Sequence, residues 1–419
     1  MIGAIAPVGA LLLSVALLLM GNGLQGILLP VRAQFEDFTS LDIGVLGSSY
    51  FLGFALGCYL GPYAVKRVGH IRVFTAMVSI ASTTSIVHLL LLSPGAWWAL
   101  RAVTGFCFAT LYMVIESWLN EKSNNETRGL VFSVYTIVNL SVITIGQMML
   151  SLDSPQSFAL FGLASILVSL AAVPVAMTTA SAPQPIAAVR IRPLHLFRMS
   201  PVGFMGCFAV GLANGSFWSL APVFAQRDES NVTMVAVFMS VAVIAGAIGQ
   251  YPLGRFSDRT DRRKVIIVAA LGAAFAGVGL VVAGRTWEDG ILPFAGAFGF
   301  FAFPIYALCV AHLNDFVEQD GFVEAASGLL LVFAAGAVVG PLVAAAGMRF
   351  YGVDGLFVFT AAVHFATAGY ALYRLTQRAA PRAEDRVQFV DSIRVAQTVS
   401  AVDPLAEGTG DGERTRDRG

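Results

Sequence analysis

The amino-acid sequence predicts an all-α integral membrane protein with twelve transmembrane helices arranged as two parallel six-helix halves. Three observations carry that expectation. Of the 419 residues, 57% are hydrophobic and 12% are charged, against about a quarter charged in an ordinary water-soluble domain. Apolar runs of the length that crosses a bilayer core, roughly 20 residues for about 30 Å, recur along the whole chain. The stretch NGLQGILLP at 22–30 returns as NGSFWSLAP at 214–222, a shift of 192 residues.

Taken in order, the runs cover 5–30, 41–65, 71–92, 95–119, 128–150, 156–178, 200–225, 232–254, 264–284, 290–315, 322–348 and 353–376. The first is too long for a secretion signal, lacks a basic start and is followed by further spans, so it reads as a retained helix. Lys and Arg divide unequally between alternate connections. With a cytoplasmic amino terminus, the inner loops and early tail hold seventeen, among them Lys66, Arg67, Arg72, Lys122, Arg128, Arg255, Arg259, Arg262, Arg263 and Lys264, while the outer loops hold Arg32, Arg227, Arg285 and Arg349. Short cytoplasmic loops carry such an excess, which predicts a multi-pass protein of the cell (inner) membrane with both termini cytoplasmic. The formal net charge of zero hides this sidedness and gives no reason to expect nucleic acid as a partner.

Enzyme chemistry finds no residues to stand on. Cys58, Cys107, Cys207 and Cys309 lie inside predicted spans without paired spacing and read as small hydrophobes. There is no GxxxxGK[ST], HExxH or GxSxG sequence and no intramembrane Asp pair, so no catalytic residue, metal site or cofactor is expected.

The repeat is deeper than one motif. Asn22, Gly23, Leu28 and Pro30 recur as Asn214, Gly215, Leu220 and Pro222, and TGFCFATLYMVIESWLNE (104–121) aligns with FGFFAFPIYALCVAHLND (298–315) at a shift of 194. A shift spanning six helices keeps both copies in one orientation, the parallel-repeat architecture of secondary transporters that bind solute near the midplane. The expected divisions are an N-terminal half at 1–178, a cytoplasmic linker at 179–199, a C-terminal half at 200–376, and a polar, disordered cytoplasmic tail at 377–419.

Candidate solute contacts follow from the cost of burying amides. Asn22 and Gln25 at i and i+3, and Asn214 and Trp218 at i and i+4, each share a helix face, so they face either a wet cavity between the halves or another helix through amide bonding. Tyr112, Asn139, Gln147, Gln250 and Tyr306 are further candidates for the same cavity. Arg101 is the deepest basic residue and a functional candidate on that ground, although Trp97 four residues earlier places it within reach of the outer interface, where it could snorkel. Glu116 lies fifteen residues on, roughly 22 Å along the helix. It is read either as a proton-exchanging carboxylate or as a structural partner of Arg67, Arg72 or Arg128. His312 and Asp315 hold the matching place in the other half. His88 and His364 are read as outward-facing scaffold.

The sequence PLGRFSDRTDRRKV (252–265) resembles the G-x-L-a-D-R-x-G-R-R loop motif of the major facilitator superfamily. Gly254, Asp258, Arg259, Arg262 and Arg263 fall on its positions, with Asp261 at the second Gly. GPYAVKRVGHIRVF (61–74) is a degraded copy that keeps Gly69 and Arg72 but has Lys66 at the acid, and RAVTG at 101–105 is similar to the family's R-x-x-q-G, with Thr104 for Gln. The resemblance covers residues 5–376, and GPYAVKRVGHIRVF, ESWLN and GRFSDRTDRR resemble a poorly characterised YcaD-like branch. It implies the major facilitator fold, a coupling role for Arg101, and a monomer. The loop charges are read as gate elements made in one conformation and broken in the other, or as a cluster that fixes topology only.

The drug-proton antiporter motif GxxxGP is absent from the fifth span, which has VITIGQ with Gln147 at the Pro, while GAVVGP stands at 336–341 in the eleventh. The function expected is a secondary active transporter in the lipid bilayer, a proton-coupled antiporter exporting a small organic solute. The alternatives are proton-linked uptake of a sugar-like or organic-acid nutrient, and a non-transporting receptor or assembly factor on the same scaffold.

Overall fold

The computed structural model describes residues 8–123, 127–177, 193–226, 231–317, 321–377 and 388–389. The first half contains α1 (Gly9–Phe35), α2 (Ser40–Val68), α3 (His70–Leu90), α4 (Pro94–Glu121), α5 (Arg128–Met148), α6 (Phe158–Leu170) and the short α7 (Ala172–Ala176). A connecting helix α8 (Pro193–Met199) precedes α9 (Pro201–Ala225), α10 (Val232–Arg259), α11 (Arg262–Thr286), α12 (Ile291–Ala302), α13 (Pro304–Asn314), α14 (Phe322–Tyr351) and α15 (Gly355–Gln377). Among the described residues, eleven apolar segments are long enough to cross a membrane, and the last, Glu324–Gln377, is two helices joined by a turn at Gly352–Asp354. The twelve expected spans therefore all appear, with ends displaced by a few residues. Most of the proposed linker and nearly all of the tail fall outside the described residues.

Local chemistry sets the boundaries. Thr39 and Asp42 form a reciprocal capping box at the start of α2. Ser157, Ser200, Asn231 and Asp261 cap α6, α9, α10 and α11 through side-chain oxygens that accept backbone N–H groups. Pro94 and Pro201 stand in first turns, where the missing N–H costs nothing. Pro304 does the same for α13, and in doing so it divides the tenth span into two helices at Phe303. Gly69, at φ +89°, closes α2 and begins α3 in a conformation that L side chains avoid.

The repeat is visible as equivalent close contacts. A Cβ added to Gly23 would strike the backbone of Ile143, and one on Gly215 would strike Ala337. Gly146 faces the carbonyl of Met20 as Gly340 faces that of Leu212, and Gly57 faces Phe106 as Gly249 faces Phe300. In each pair the residues are 192 or 194 positions apart. Backbone contact of this kind, open to glycine alone, joins α1 to α5 and α2 to α4 in the first half. It joins α9 to α14 and α10 to α12 in the second. The Gly of each Asn-Gly motif, and the Gly340 of GAVVGP, therefore serve helix packing.

The chain passes back and forth between two ends of the bundle. One end, near Thr39, is pinned by Arg32, which pairs with Glu36 at 2.6 Å and donates to the Pro155 carbonyl, and by Arg285 on Asp354 at 2.7 Å. Here the halves meet: a Cβ on Gly44 would lie 2.8 Å from the Pro341 oxygen, Gly47 abuts Ser219, and the turn Met149–Leu152 packs on α10. The other end, near Gly69, holds the basic loops. Large apolar side chains including Leu52, Leu56, Ile137, Ile248 and Phe275 are exposed around the bundle, where acyl chains would cover them.

Candidate functional site

Between the halves lies a cavity of about 320 Å³ lined from α1, α2, α4, α5, α9 and α14. Of the residues singled out in the sequence, Asn22, Arg101, Tyr112, Gln147 and Trp218 reach its wall. Arg101 does not snorkel outward. Its guanidinium lies over the ring of Tyr50, 4.4 Å from the centroid, and its Nη1 is buried without a hydrogen-bond partner among the described residues. Asn22 is in hydrogen-bonding contact with Tyr50. Trp97 does not mark a lipid interface either. It is fully buried, donating Nε1–H to the His88 carbonyl at 2.9 Å, with the rings of Phe38 and His88 packed edge-on against it.

Gln147 is 2% exposed and its Oε1 lacks a partner among the described residues. Trp218 stacks on Phe303 with centroids 5.6 Å apart, which presents the indole as a flat wall. Apolar lining comes from Ile27, Phe51, Phe54, Leu330 and Phe333.

Other candidates are placed elsewhere. Gln25 is 1% exposed and donates to Ser85 Oγ at 3.0 Å, tying α1 to α3 by the helix-to-helix amide bond. Asn139 bonds with Tyr135. Asn214, Gln250 and Tyr306 are not among the lining residues, and each leaves a buried oxygen unmatched among the described residues. Glu116, 3% exposed, interacts with Tyr135 beyond the cavity wall, and the side chain of Arg128 lies outside the described residues. His88 and His364 do not face outward. They are buried, with His88 Nδ1 2.6 Å from the Thr84 carbonyl and His364 edge-on against Phe298.

At the Gly69 end the loop charges form a compact cluster. Arg262, 1% exposed, donates Nε–H to Asp315 at 2.8 Å and Nη1–H to Ser257 and Asp258 at 2.9 and 3.3 Å. Arg263 forms a fork with Asp261 and also donates to the Arg374 carbonyl. Burial alone would raise the Asp261 carboxyl, but the hydrogen bonds and charge of Arg263, with His312 nearby, hold it below its ordinary value. Arg259 and Arg72 are exposed. Asp258 also accepts the backbone N–H of Phe389 at 2.8 Å, and the buried Phe389 ring covers Gly254. Phe389, inside the expected tail, thus places an aromatic ring on the surface that Gly254 leaves bare.

Sequence reasoning missed Tyr50, Phe54 and Ser219. Tyr50 had a signal, since its counterpart 192 residues on is Ala242 and the counterpart of Arg101 at a shift of 194 is Ala295.

The profile of the Major Facilitator Superfamily matches residues 11–323. The chain belongs to that superfamily. Relatives include an "Uncharacterized MFS-type transporter YcaD" from Escherichia fergusonii, 25% identical over 361 residues that cover 86% of this chain and 93% of the relative. An uncharacterized MFS-type transporter of Enterobacter sp. (strain 638) is 27% identical over 365 residues at the same coverage. Among solved structures, the nucleoside transporter NupG superposes with a TM-score of 0.72 at 14% identity, covering 87% of this chain and 96% of that one. A bacterial homologue of the lysosomal transporter Spinster, inward-facing and occupied, gives 0.70 at 14% identity over 91% and 98%. At that identity the likeness is one of fold.

Proposed function

We propose that this superfamily member is a secondary active transporter that carries a small organic solute by alternating access, the solute lodging between the halves. The observation that carries the reading is the cavity itself, which takes polar groups from the first half and a flat aromatic wall from the second. A site built from both halves gives bound solute a different contact free energy in each arrangement, which is what a ligand needs to bias a two-state protein. The contacts near Thr39 close one end in this state.

In this reading the basic Gly69 end is cytoplasmic, in the cell (inner) membrane, by the distribution of Lys and Arg. The Asp258–Arg262–Asp315 cluster is a gate element, and Glu116, on the same helix as Arg101 and Tyr112, is the proton-exchanging carboxylate. The direction is export in exchange for protons, by a monomer. The experiment is solute flux in proteoliposomes under an imposed pH gradient. Accumulation driven outward from the cytoplasmic face supports antiport, accumulation in the opposite sense supports uptake, and binding without flux under any gradient overturns transport in favour of a receptor.

A further inference from the structure

The cavity contains one formal charge and nothing in its wall to neutralise it. Of the helices that line it, α1, α5 and α9 have no acidic residue at all. Asp42 on α2 is engaged in the cap of its own helix, Glu116 and Glu121 lie fifteen and twenty residues beyond Arg101 on α4, and Glu324 opens α14. None of the four is among the lining residues. Arg101 makes no ion pair among the described residues, and its Nη1 is buried and unmatched.

Contact with the Tyr50 ring stabilises the cation only partly. A guanidinium drawn out of water calls for a counter-charge, and its planar fork is shaped for a two-oxygen acceptor. Since the protein does not supply one, we propose that the solute does: the ligand is an organic monoanion, a carboxylate on a flat apolar body, with the carboxylate on Arg101 and the body between Trp218 and Phe333.

The rest of the cavity fits this division. Asn22, Tyr112 and Gln147 add hydrogen-bonding groups without charge, so a second ionised group on the ligand would find no partner. The rest of the lining is mostly apolar, and about 320 Å³ is at the small end of ligand pockets, which run from about 300 to 1,000 Å³. Multiply charged and cationic solutes are disfavoured for the same reason that the carboxylate is favoured.

This assignment rests on the cavity being the solute site. Three probes with one ring and different charge test it on the full chain in nanodiscs: indole-3-acetate, indole-3-acetamide and tryptamine, with affinity read by calorimetry. The acid should bind at least about tenfold tighter than the amide, with tryptamine weakest, and Arg101→Met should bring acid and amide together while Arg101→Lys keeps part of the preference. Equal binding of acid and amide by the unaltered protein, a preference for the amine, silence with all three, or an acid preference that survives Arg101→Met overturns it. Phenyl phosphate binding more tightly than benzoate would overturn the single charge in favour of a dianion. Flux of any neutral solute in proteoliposomes would keep the transporter reading while the anion assignment fell, so the two can fail separately.

Discussion

The two halves share a scaffold and divide the chemistry. The glycine contacts that join α1 to α5 and α2 to α4 return at the same spacing in the second half. Yet Tyr50 and Arg101, which place a cation in the cavity, correspond to Ala242 and Ala295, both fully buried. At the loops the difference runs the other way. Asp258, Arg262 and Asp315 correspond to Lys66, His70 and Glu121, and where the second half buries the pair of Arg262 with Asp315 the first half has His70 3.3 Å from Ser117. Duplication preserved what backbone packing demands and left the side chains free to diverge, so a cation ended up in the cavity of one half and a buried ion pair at the loop of the other.

The largest effect that would test this comparison is on the shared part. Gly146→Leu and Gly340→Leu each press a side chain into a carbonyl of the neighbouring helix, so each should cost at least the upper part of the 1–3 kcal/mol typical of overpacking. Both should eliminate monodisperse protein in detergent size-exclusion runs, and survival of one alone would break the equivalence. At the loops the effect should be unequal. Arg262→Met removes the cation paired with the buried Asp315 carboxylate and is expected to cost about 3–5 kcal/mol, whereas His70→Ala loses one polar contact worth about 1 kcal/mol. Thermal unfolding of the two variants side by side measures the contrast.

A smaller difference separates the two Asn-Gly motifs. Asn22→Ala should weaken solute binding several-fold, as expected for a neutral hydrogen bond worth about 1 kcal/mol, and Asn214→Ala should leave it unchanged. A titration in which both lose affinity equally would restore a symmetric site. The smallest effect is acid sensitivity at Asp261. Its carboxyl is held below its ordinary value in the folded protein by Arg263, so its contribution is complete above the unfolded carboxyl pKa of about 4 and is lost as pH falls through the folded value. Asp261→Asn keeps an N-cap and an acceptor for Arg263 but removes the charge, and should flatten the acid limb of a stability profile.

How much of this was legible beforehand follows from which signals are local. Twelve spans and the repeat could be read because apolar runs and glycine spacing are written along the chain. The cavity was half legible: Asn22, Arg101, Tyr112, Gln147 and Trp218 are polar or aromatic residues in apolar surroundings, but the same rule selected Gln25, which found Ser85 across a helix crossing. Orientation around a helix depends on the neighbouring helix and has no local signature. Tyr50 was hidden because an aromatic residue in an apolar run is ordinary, and only its substitution by Ala242 in the other copy set it apart. The break at Phe303 could have been read from Pro304.

The glycine contacts also have a mechanical consequence. The repeated ones put backbone directly against backbone in four helix pairs, α1 with α5, α2 with α4, α9 with α14 and α10 with α12, each within a half, while across the halves Gly44 of α2 meets the Pro341 carbonyl of α14. Compliance is therefore distributed unevenly. Each half behaves as a stiff block with little room for its helices to slide. Relative movement of the halves then has to part Gly44 from Pro341 where α2 meets α14 and to slide α5 along α10, so a substitution that adds friction at those two seams would slow the molecule without unfolding it.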